Sequence, residues 1–194
     1  EIKHALTKRA IKKYPQFESE WSSLAKDDSS RIMYQSFFRG LLRKFVDFES
    51  LRTSNTKEDR IKGFVSAYAM TNFKEDVAEL CTFAELNNNL LIETDPSLND
   101  SCLMKKVKLA ERVNLLPTDF TDYLKVEKKY LESASPSSLG ISGSTDADID
   151  FYEEANAFVR KHPKSKYAAD MQKKLEWVRR YPYVKNYISS RDSN

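Results

Sequence analysis

Glu1 and His4 stand three positions apart at the start of a helical pattern, and further along Tyr68 is followed by Glu75 and then by Glu79. These residue types suit hydrolysis of an amide with the help of zinc. Such chemistry needs three protein ligands that leave one coordination position open, a base that takes a proton from water, and a donor for the developing oxyanion. His4 can ligate through one ring nitrogen, and Glu1 can act as the base. Glu75 can supply a carboxylate ligand. Glu79, one turn later on the same face, can hold a ligating imidazole by a hydrogen bond, and the Tyr68 phenol can donate to an oxyanion. Helical zinc hydrolases carry His-Glu-x-x-His, which turns two imidazoles at i and i+4 toward one metal. The expectation is therefore that a His directly precedes Glu1 in the parent protein.

The elements that must carry these groups read as helices. Only 4 glycines occur in 194 residues, and Leu, Lys, Glu and Ala recur at intervals of three and four. Ile2, Ala5, Leu6 and Ala10 share one helical stripe, Tyr14-Pro15 restarts the chain, and Phe17, Trp21 and Leu24 mark a second short helix. A helix is also expected over Ile32 to Phe48, with a strand on one side of Gly40 as the alternative, followed by an exposed connection over Ser50 to Asp59. Gly63 to Tyr68 reads as irregular. Asn72 is the expected N-cap of a helix running to about Leu86, with further helices over Cys102 to Leu116 and Asp119 to Glu132. Ser, Gly, Thr and Asp dominate residues 133–148, which predicts a linker between a portion 1–132 and a helical hairpin over 149–194. In that hairpin His162-Pro163 separates the stripe of Phe151, Ala155 and Phe158 from that of Met171, Leu175 and Val178.

Composition excludes some classes. Thirty-two lysines and arginines against 29 acids leave a formal charge of +3, too balanced for nucleic-acid binding by electrostatics alone. No apolar run approaches the ~20 residues that cross a bilayer. Cys81 and Cys102 form no Cys-x-x-Cys pair; they can bridge, or both can be buried thiols.

The stretch Gly63-Phe64-Val65-Ser66-Ala67-Tyr68-Ala69-Met70-Thr71-Asn72-Phe73-Lys74-Glu75-Asp76-Val77-Ala78-Glu79 resembles the third-ligand region of bacterial zinc metallopeptidases of the gluzincin class. It is also similar to the matching segment of the anthrax lethal factor and Pro-Pro endopeptidase families. In those families a Tyr stands seven residues before the ligand Glu, and Tyr68 stands seven before Glu75. The resemblance covers roughly the first 85 residues. It implies a mostly α, zincin-like catalytic portion with Zn2+ held by His4 and Glu75, Glu79 in support, Tyr68 as oxyanion donor and Glu1 as base. It further implies a protein or peptide substrate and a secreted or surface-attached location.

Other readings of the same residues stand beside this one. Glu75 and Glu79 have the spacing of a solvated acidic face, yet Val77, Ala78, Leu80, Cys81 and Phe83 around them predict a buried helix whose carboxylates need partners. The chain could instead be a helical interaction module that binds a protein partner through the 149–194 hairpin and exposed Tyr181, Tyr183 and Tyr187, or an inactive peptidase-like scaffold. His162, in its turn, reads as a surface residue, and Lys3, Lys8, Arg9, Lys12 and Lys13 as a solvated face.

Overall fold

A computed structural model describes residues 2–24, 63–66, 68–86, 102–133 and 145–192, and every regular element among them is a helix. The segment Ile32 to Phe48 and the connection over Ser50 to Asp59 lie outside the described residues. Two compact units divide the chain, Glu1–Thr118 and Asp119–Asn194. No described helix is long and apolar enough to cross a membrane.

In the first unit, α1 (Ile2–Lys13) and α2 (Phe17–Ser23) pack on α3 (Phe73–Leu86), which also meets α4 (Cys102–Arg112). The break between α1 and α2 falls at Tyr14 to Gln16, where Pro15 cannot donate to a helical turn. Phe17, Trp21 and Phe73 form the centre of the core, with rings edge-on at 5.4 to 6.4 Å. Lys8, Arg9, Lys12 and Lys13 are exposed along α1, as a solvated face requires.

Helix α4 stops at Arg112 rather than continuing to Leu116. Asn114 takes a left-handed conformation (φ 59°), the Leu115 N–H donates to the Ala110 carbonyl at 2.8 Å and the Asn114 N–H to that of Glu111 at 3.0 Å. That pair of bonds closes the helix end, and asparagine tolerates the left-handed position better than most residues.

Both cysteines are free thiols. Cys81 is buried on α3, and burial above all pushes its thiol up to about 12. Cys102, at the start of α4, is partly exposed. A disulfide-exchange reagent at pH 8 should therefore titrate Cys102 in the native protein and Cys81 only after denaturation; equal native rates would contradict this packing.

The second unit holds α5 (Phe120–Ser133), α6 (Thr145–Lys161), α7 (Ala168–Val178) and α8 (Pro182–Asp192). Helix α6 touches the other three. Its compositional grouping therefore differs from its packing: α5, placed by sequence with the portion 1–132, belongs with the hairpin, because its stripe of Phe120, Tyr123 and Leu124 is buried in this unit. Tyr123 stacks on Tyr167 at 4.1 Å, and Phe158 lies 6.4 Å from Tyr123. The unit is also more than a hairpin, since Pro182 opens an additional helix at a first-turn position that suits it.

Polar pairs brace these helices. The Lys161 ammonium holds the Asp122 carboxyl below the usual carboxylate range against the opposing effect of burial, with His162 adding to it (2.7 and 3.1 Å). Arg191 does the same for Glu153, assisted by the Tyr187 hydroxyl. Carboxyls depressed in the folded state contribute stability above their unfolded pKa of about 4, and that contribution is lost as pH falls through the lower folded values. Melting temperatures recorded by circular dichroism should accordingly fall below about pH 4. The double change Asp122→Asn with Glu153→Gln should flatten that acid limb, and an unchanged limb would remove these pairs from the explanation.

Candidate metal centre where α1 crosses α3

Helix α3 begins where the sequence places it. Asn72 is extended (φ −169°, ψ 166°), and its side-chain oxygen accepts from the Lys74 and Glu75 N–H groups at 3.0 and 3.1 Å. This cap satisfies orphan donors of the first turn and sets Glu75 into that turn. The first turn of α1 lies across α3. Lys3 reaches Glu85 near its far end at 2.7 Å, and His4 Nε2 stands 3.4 Å from Glu75 Oε2. The His4 and Glu75 side chains are 36% and 22% exposed, so the pair is open to solvent on one side.

The approach to α3 carries the remaining groups. Residues 63–66 lead into Tyr68 and a short 3-10 turn, Ala69–Thr71. The Ser66 hydroxyl donates to Glu79 Oε2 at 3.1 Å and accepts from the Ala69 N–H at 3.0 Å, joining this approach to the helix it enters. Tyr68 is partly exposed two residues beyond Ser66. Glu75 and Glu79 are themselves only half-buried. The wholly buried carboxylate of α3 is that of Asp76, which corrects the expectation of deep burial for the other two. Glu1 lies outside the described residues. Among the described residues no three His, Cys, Asp or Glu side chains gather as a metal-binding group. The structure thus brings His4 to Glu75 and Ser66 to Glu79.

Beneath this surface lies a cluster that sequence reasoning did not nominate. Lys106 of α4 is completely excluded from solvent, and its Nζ donates to Asp76 Oδ2 at 2.6 Å and to the Gly63 carbonyl at 2.8 Å. The Trp21 indole N–H donates to the same Asp76 oxygen at 2.7 Å. Lys106 also faces the Phe64 ring at 4.1 Å. A signal existed in the sequence: Asp76 shares the stripe of Phe73, Val77 and Leu80, and Lys106 that of Leu103, Val107 and Ala110. Opposite charges that each interrupt an apolar stripe are candidates for a buried pair.

In the second unit, His162 is half-buried against Asp122 instead of free on the surface. Tyr181, Tyr183 and Tyr187 are half-buried as well. The Tyr183 hydroxyl donates to Asp148 and that of Tyr187 to Glu153, so two of these rings clip α8 to α6. The exposed aromatic of this unit is Trp177, 42% accessible, edge-on to Tyr130 and Tyr181. Trp21, in the first unit, is 0% accessible.

No family model, curated protein or solved structure matches this chain.

Proposed function

We propose that the chain carries the second and third ligands of a zinc site and takes part in zinc-dependent peptide hydrolysis, in the manner of the gluzincin peptidases its 63–79 segment resembles. The observation that carries this reading is the approach of His4 to Glu75 from 71 residues away. The 3.4 Å between their donor atoms exceeds the about 2.7–2.9 Å of a charge-assisted hydrogen bond. It is within ion-pair range, and it leaves both groups close enough to reach one cation between them. An imidazole and a carboxylate are ordinary zinc donors, and both remain reachable from solvent.

Zinc held there would supply Lewis acidity, polarising a peptide carbonyl and making water acidic enough to attack near neutral pH. His4 and Glu75 would hold the ion, Glu79 with its Ser66 bond would support the ligand helix, and Glu1 would take up the proton of the attacking water. The Tyr68 phenol would donate to the carbonyl oxygen as it gains charge.

Elemental analysis of the protein should find about one zinc per chain. Glu75→Gln should lower zinc affinity by more than the roughly 10–100-fold typical of changing a residue that only supports a ligand. Absence of bound zinc at pH 7.5 would reject the reading.

A further inference from the structure

We infer that Lys106 is the positioning residue of the His4 and Glu75 pair. A buried ion pair is seldom needed for stability alone, because apolar side chains of similar volume commonly replace it without loss. What apolar atoms lack is direction. The Lys106 ammonium has three donors, and two of them are committed, to Asp76 at 2.6 Å and to the Gly63 carbonyl at 2.8 Å.

Those two acceptors belong to the two segments that compose the candidate site. Asp76 directly follows Glu75, and successive residues of a helix point about 100° apart. Fixing the inward direction of Asp76 therefore fixes the outward direction of Glu75, toward His4. The second acceptor opens the segment that runs through Ser66 to Tyr68. Gly63 sits there at φ +98°, and a Cβ on it would come within 2.9 Å of the Cys102 Cβ, so its carbonyl direction depends on glycine. Trp21 completes the clamp from α2 by donating to the same Asp76 oxygen. Lys106 thus sets the rotation of α3 and the distance of the Tyr68 segment from it, without touching any reacting group. The functional meaning of this role rests on the zinc reading, whereas the positioning can be measured without metal.

The test is the paired replacement of Lys106→Met with Asp76→Leu, read out in two ways. Nuclear Overhauser contacts between the His4 ring and the Glu75 methylenes report the approach itself, and a cobalt(II) titration reports the donor geometry. The expected result is a folded variant with a melting temperature above that of Lys106→Met alone, loss of the His4 to Glu75 contacts, and cobalt affinity lower by about 10–100-fold. Parent-like contacts and parent-like cobalt binding in the folded variant would overturn the inference, as would absence of those contacts in the parent. Lys106→Arg, which keeps the charge and moves the donors, carries the same two readouts if the double variant does not fold. A parent that shows the contacts yet binds no cobalt would sink the zinc reading alone, and the contact measurement would still decide the role of Lys106.

Discussion

Lys106→Met alone should destabilise the first unit by roughly 3–5 kcal/mol, the usual cost of stripping one partner from a buried ion pair. The change leaves a carboxylate that is 1% exposed without its ammonium, and it frees the Gly63 carbonyl from its donor. Water cannot reach either group without opening the core formed by Phe17, Trp21 and Phe73. By the usual scaling for domains of this size, the melting temperature should drop on the order of 10 °C or more, as followed by circular dichroism. Adding Asp76→Leu should restore part of that loss, since the uncompensated charge is then gone while the Gly63 carbonyl and the Trp21 indole N–H are left without these partners. A double variant as unstable as Lys106→Met would show that the cost does not come from the orphaned charge. By comparison, the Arg112 and Glu20 pair on the surface of the same unit should be worth well under about 1 kcal/mol, because both groups remain solvated.

On the proposed zinc reading, Glu1→Gln should reduce peptide hydrolysis by about 10²–10⁴-fold while bound zinc stays at the parent level. The amide matches the carboxylate in size and cannot accept a proton, so a role in taking up the proton of water is removed without emptying the site. His4→Ala should do the opposite, losing zinc and hydrolysis together. Digestion of an unstructured polypeptide, followed by mass spectrometry and paired with metal analysis of the same samples, separates the outcomes. Hydrolysis that survives Glu1→Gln would take Glu1 out of the base role. Tyr68→Phe should fall between, with zinc retained and turnover lowered about 10²–10³-fold by loss of one oxyanion donor.

The helical character and the start of α3 were readable because both depend on local chemistry. Asparagine caps by its own side chain, Pro15 interrupts its own segment, and a stripe such as Leu103, Val107 and Ala110 declares its period. The meeting of His4 with Glu75 was readable only through a motif, since nothing local to either residue specifies a partner 71 positions away. Lys106 was passed over because lysine is normally solvated, and its place on an apolar stripe becomes informative only beside Asp76 on another. The boundary of the second unit was misplaced for a related reason. The Ser and Gly content of residues 133–148 marks a change of composition, whereas membership of α5 is decided by which helix covers Phe120 and Tyr123. Likewise Tyr183 and Tyr187 looked like free contact residues until Asp148 and Glu153 on α6 supplied acceptors for their hydroxyls.

The chain has 2 tryptophans, and the fold gives one to each unit under opposite conditions. Trp21 is sealed beside a buried ion pair, whereas Trp177 faces solvent. Iodide will therefore quench the emission of Trp177 and spare that of Trp21, so the two halves of the molecule can be followed separately in one cuvette without any attached dye.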